Sequence, residues 1–239
     1  ILSVCVPNGY SNLFTVISSV FGVVVSYIIS KQADKFENAA KMAKRNQAYS
    51  EFYDYYKTAS NYYNEILSKN NAHELKIFVI NQISTYSANV LNKTNSAANI
   101  INYCEQQRMF YTSYLNRFLI LKYGFEPLIA MYSLIKSIDD FYYEYIKYIS
   151  SAVKDNADNS IILDNLSEKV EELQQLEINL KTETKKLISQ TYRMTCKFSE
   201  PNLTNQAFFE LYYQNNQIKK NIDRKINCQI EADKMTTDE

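Results

Sequence analysis

The side chains able to do chemistry are few and scattered. His73 is the single histidine of the 239 residues, so a di-iron carboxylate bundle, which takes Glu-x-x-His from two helices, cannot be completed. Cys5, Cys104, Cys196 and Cys228 are too widely spaced for a CxxC pair, and zinc needs clustered thiolate or imidazole ligands. Sparse cysteines in a helical chain are expected to be free thiols. Asp139 and Asp140 are adjacent, and neighbours on a helix point in different directions, so they make no carboxylate dyad. Glycine occurs only at 9, 22 and 124, which rules out a phosphate-binding loop or a G-x-S-x-G nucleophile elbow. The expectation is a protein that is not an enzyme and uses no cofactor or metal.

Non-covalent chemistry is better represented. Residues 11–36, SNLFTVISSVFGVVVSYIISKQADKF, hold no charge before Lys31. At 1.5 Å per residue, Tyr10 to Ser30 spans about 31 Å, close to the hydrocarbon thickness of a bilayer. Tyr10 and Tyr27 lie near the ends, where amphipathic rings favour the interface. A buried core helix would be shorter and carry a charge at an edge, and a cleaved signal sequence would have a basic start and a small-x-small site after the apolar run. The chain starts at Ile1 rather than Met, as expected of a processed or truncated chain. The reading is one transmembrane helix over about 10–30.

Lys31, Lys35, Lys41, Lys44 and Arg45 follow this segment, and no Lys or Arg precedes it. The positive-inside rule then puts the C-terminal part on the cytoplasmic or matrix-like side, and the cluster can touch anionic headgroups, although an ordinary solvated helix face has the same composition. Within the segment, Ser11, Thr15, Ser18, Gly22 and Ser26 form one stripe of small side chains. Ser18, Gly22 and Ser26 are a candidate helix-packing face, since close backbone approach favours association in lipid. Such patterns are also frequent by chance.

The remainder must be helical. Three glycines and three prolines leave little turn punctuation for a sheet, while 21 tyrosines offer apolar area with a polar tip. A low-GC genome also explains the abundance of Tyr, Asn, Lys and Ile. The apolar helix is expected to continue to about Ser68, with Phe52, Tyr56, Ala59, Tyr63 and Ile66 on one face. A second helix should run from Ala72 to about Lys122, N-capped by Asn71 with Glu74 three residues on, and kinked around NKTNSAAN. Gly124 suits a C-terminal cap and Pro127 the first turn of a third helix, to about Val153. Helices at about 160–197 and on to about Asp233 follow, with residues 234–239 as a disordered tail. The expected architecture is all-α: residues 1–30 carry the membrane helix, and 31–233 form an elongated antiparallel bundle of four to five long helices.

Leu166, Leu173, Leu180, Leu187 and Met194 recur every seven residues. With Leu163, Val170, Glu177, Thr184 and Thr191 as the companion positions, the seam turns polar after Val170. That favours packing inside the bundle over a zipper to a second chain. FLILKYGFEPLIAMYSLI, residues 118–135, is broken by Gly124 and Pro127 and holds Lys122 and Glu126. It reads as a buried helix–turn–helix tip rather than a second span, with a toxin's inserting tongue as the alternative.

Lys plus Arg balance Asp plus Glu at 26 each, so the basic excess of a nucleic-acid binder is missing. Sequons at Asn92, Asn165 and Asn202 occur at about the frequency chance predicts and say nothing of secretion. The expected function is a membrane-anchored helical scaffold or accessory subunit of a larger membrane complex. Its partners would be membrane lipid and other subunits or a second copy, with no nucleic acid and no small-molecule substrate identified. The alternative is a soluble pore-forming toxin or effector that hides the apolar helix until it inserts.

Overall fold

The computed structural model describes residues 11–84, 90–119, 124–155, 157–200 and 202–237; of these, 11–14, 90–92, 205 and 236–237 are described by their backbone alone. The described residues form six helices and no strand: α1 (Ser11–Ser68), α2 (Asn71–Ser84), α3 (Val90–Leu119), α4 (Pro127–Lys154), α5 (Asn159–Ser199) and α6 (Asn205–Thr237). The fold is an all-α bundle. Two compact units divide between Ala48 and Tyr49, inside α1.

The core of the second unit is organised by α4. Its buried positions Leu128, Met131, Ile135, Ile138, Tyr142, Tyr145 and Ile149 alternate in steps of three and four, which keeps one seam facing inward. α4 packs on α3 and α5; α2 sits against α3 and α5, and α6 docks on α4. Leu166, Leu173, Leu180 and Leu187 of α5 are all buried, and Met194 is half-buried. The seven-residue repeat therefore packs within the chain. The companion positions Glu177, Thr184 and Thr191 are buried as well. Thr184 and Thr191 donate their hydroxyls to the carbonyls of Leu180 and Leu187 at 2.8 and 2.9 Å, so a β-branched side chain enters the core with its polar group satisfied.

Aromatic rings fill much of the remaining space. Phe52 of α1 stacks on Phe198 at 5.1 Å, Tyr62 on Tyr114 at 4.0 Å, and Phe78 on Tyr103 at 4.7 Å. On α1 the buried face is Phe52, Ala59, Tyr62 and Ile66. Tyr56 and Tyr63, expected on it, are only half-buried, because the inward line runs one residue to the side.

Of the expected second helix, α2 covers Asn71–Ser84 and α3 covers Val90–Leu119, and residues 85–89 and 120–122 lie outside the described residues. NKTNSAAN is helical despite its polarity, because Ser96 and Ala97 are small enough to be buried against neighbouring helices. α6 continues through Thr237, so Lys234 to Thr237 are helical rather than a disordered tail. Gly124 is a close-approach position, not a left-handed helix cap. A Cβ there would lie 2.5 Å from the Lys219 Cα and 2.8 Å from its backbone nitrogen.

Candidate functional site

In the first unit, the feature with functional potential is the N-terminal part of α1. Its most apolar 18-residue window has a mean hydropathy of 1.5, and none of it is buried. Phe21 and Val23 are each 69% exposed. Monomeric soluble proteins seldom leave so continuous an apolar surface open to water. One helix is thus long and apolar enough to cross a membrane. Ser19 donates to the Thr15 carbonyl at 2.8 Å, which occupies its hydroxyl inside the helix. Ser18, Gly22 and Ser26 are exposed, and a Cβ at Gly22 meets no atom within 4 Å, so the stripe is open to a neighbour. Val16, Ile17, Val20, Phe21 and Val24 border a shallow apolar groove on the same helix. Tyr10 and Cys5 lie outside the described residues.

The basic cluster follows on the same helix. Lys31, Lys35 and Lys44 are exposed, and Lys41 and Arg45 half-exposed. The Lys31 ammonium sits 5.6 Å from the centroid of the Tyr27 ring, and Lys41 pairs with Glu37. Hydrogen bonding to Lys41 holds the Glu37 carboxyl below its ordinary value.

In the second unit, the candidate chemical residues are dispersed. His73 is exposed on α2. Asp139 receives the Arg108 guanidinium through Nε at 2.8 Å, a forked pair joining α3 to α4, while Asp140 faces solvent. Burial pushes the Cys104 thiol up to about 12, which leaves it protonated and inert. Cys104, Cys196 and Cys228 are free, and no metal-holding group of three His, Cys, Asp or Glu side chains exists among the described residues. Phe118, Phe125, Leu128 and Tyr132 are buried, so the described part of residues 118–135 forms an internal tip; Lys122 lies outside the described residues.

The most elaborate polar arrangement is buried where α2, α3 and α5 meet. Asn71 does not cap α2. Its Nδ2 donates to the Tyr111 hydroxyl at 2.6 Å, and that hydroxyl donates to Glu177 Oε1 at 3.1 Å. The other Glu177 oxygen accepts the Ala72 N–H at 3.4 Å, so a carboxylate 105 residues away serves one orphan donor at the α2 N-terminus. Burial raises the Glu177 carboxyl above its ordinary value, against the lowering effect of the Tyr111 and Ala72 hydrogen bonds. Burial, with Glu177 nearby, also raises the Tyr111 phenol. The node can fix helix register, and it offers no substrate a way in.

A more open site lies between the α3–α4 turn, α5 and α6. A cavity of about 270 Å³ is lined by Gly124, Phe125, Glu126, Gln190, Arg193, Met194, Lys197, Asn215 and Ile218. The basic second half of α5 is visible in the sequence, but the cavity beside it is not, because its walls come from three distant segments.

Compared with known proteins, the chain matches no family profile, no curated protein and no solved structure.

Proposed function

We propose that the chain is a single-pass membrane protein whose helical bundle acts as a non-enzymatic scaffold, an accessory subunit of a larger membrane complex. The carrying observation is the apolar window of α1, none of which is buried. In water that surface is unfavourable by about 25 cal/mol per Å², and a bilayer removes the penalty. The five cations after it support placing the bundle on the cytoplasmic or matrix-like side. The long faces of the second unit and the open Ser18/Gly22/Ser26 stripe suit contact with other subunits or a second copy.

Membrane fractionation tests the anchor. The protein should sediment with membranes and stay there in alkaline carbonate; release into the supernatant overturns the proposal. Orientation is read separately by maleimide labelling of the exposed Cys196 and Cys228. In intact cells they should react with a membrane-permeant reagent and not with an impermeant one.

A further inference from the structure

Charge is sharply divided along α5. Its first half carries Asp164, Glu168, Glu171, Glu172 and Glu177 against Lys169 alone; its second half carries Lys181, Lys185, Lys186, Arg193 and Lys197 against Glu183 alone. Net neutrality of the whole chain conceals this. Lys186 is held by Glu183 at 2.5 Å. Lys185, Arg193 and Lys197 have no carboxylate partner among the described residues, and at 100° per residue they fall within a sector of about 120° on one side of the helix.

That basic side meets an apolar hole. The 270 Å³ cavity has Phe125, Met194 and Ile218 as its apolar lining and Arg193 and Lys197 on its α5 wall. A shallower groove lined by Thr182, Lys185, Lys186, Ser189 and Gln190 runs on from it, sharing Gln190. The cavity is smaller than the ~300–1,000 Å³ of sites for drug-sized ligands, and it suits one large side chain. From Thr182 to Lys197 the track is about 22 Å long, the reach of about seven extended residues. Unneutralised cations along a track that ends at an apolar hole complement an acidic chain that carries one apolar side chain. Glu126, on the α4 side, is the only carboxylate in the lining.

We propose that this track docks an acidic, extended segment of a partner protein, its aromatic or large aliphatic residue seated between Phe125, Met194 and Ile218. The proposal rests on the scaffold reading and names the chemistry of a partner for it.

The test uses the full chain in mild detergent and a fluorescein-labelled heptapeptide of Asp and Glu with a central Phe, followed by fluorescence anisotropy. Saturable binding that weakens with salt is expected. Arg193→Glu with Lys197→Glu, both at exposed positions, should weaken it by about tenfold, and exchanging the peptide's Phe for Ala by at least about fivefold. Lys220→Glu with Arg224→Glu, exposed on α6 outside the cavity lining, should leave it unchanged. The proposal is overturned by no binding, by equal loss in the α6 variant, or by indifference to the Phe. It is also overturned if glycerophosphoserine, a soluble lipid headgroup, displaces the peptide at equal concentration, since the cations would then read phosphate. Carbonate extraction is independent of all these outcomes, so failure of the docking track and failure of the anchor are told apart.

Discussion

Replacing Gly124 by alanine should loosen the attachment of α6, and the size of the effect follows from the geometry. The added Cβ would sit 2.5 Å from the Lys219 Cα, 2.8 Å from its nitrogen and 3.0 Å from the Ile222 Cδ1. Ordinary contact begins near 3.4 Å, so α6 has to retreat by about 1 Å. Lys219 presents backbone here, and backbone cannot swing aside as the tip of a long side chain does. Retreat separates Ile222 and Ile226 from Tyr132, the small apolar cluster that holds α6 on α4. Overpacking of this kind destabilises by about 1–3 kcal/mol. In a unit of this size each kcal/mol lowers Tm by about 2–4 °C, so a fall of about 2–12 °C is expected in circular dichroism melts. Gly22→Ala is the matched control, because its Cβ meets nothing within 4 Å and alanine favours the helix. Equal melting of Gly124→Ala and wild type, or an equal loss from Gly22→Ala, would refute the close-approach account.

Other perturbations separate the roles assigned above. Leu180→Ala removes a fully buried side chain and should cost about 2–5 kcal/mol in denaturant unfolding, whereas Met194→Ala, at a half-buried position of the same repeat, should cost clearly less. Glu177 has a folded-state pKa raised above the ordinary 4.5, so the folded protein binds its proton more tightly than the unfolded chain. Its contribution to stability is present below that value and is lost as pH rises through the folded pKa; Glu177→Gln should flatten this slope in urea titrations at several pH values. An unchanged slope would assign the pH dependence to other groups. Gly22→Leu should reduce self- or subunit association in a membrane two-hybrid assay while leaving the bundle's melting untouched, and undiminished association would remove the Ser18/Gly22/Ser26 face from consideration.

The helical class and the seven-residue repeat of α5 could be read directly, because scarce glycine and proline and regular leucines are local signals. The polar companions in that repeat could not be interpreted locally. Thr184 and Thr191 look unsuited to a core until their hydroxyls are seen bonded to their own helix, and Glu177 until its distant partners are in place. The 3-4 seam of α4 was as regular as that of α5, but Tyr142 and Tyr145 interrupt a search for aliphatic residues while filling the core equally well. Asn71 shows the converse. Its spacing to Glu74 matches a local cap, yet Tyr111, 40 residues on, captures its amide instead. Gly124 is legible as a special position, but the reason, the Lys219 backbone, lies 95 positions further along the chain.

The same distinction bears on function. A membrane span is a property of one continuous segment, with length, hydropathy and flanking charge all contained in residues 10–45, so sequence alone raises it. A docking track is a property of segments that the fold brings together. Net charge averaged over the chain hides it, because the acidic half of α5 cancels the basic half in every global count. The buried Glu177 belongs to the acidic half and is taken up by the α2 N-terminus, whereas Lys185, Arg193 and Lys197 of the basic half have no carboxylate partner among the described residues. Helix pairing that merely balanced charge would have used Lys and Glu alternately along the helix. Segregation instead leaves one end of α5 with unneutralised cations beside an apolar cavity, an arrangement that does little for stability, since exposed cations contribute at most a few tenths of a kcal/mol, and that complements an acidic partner.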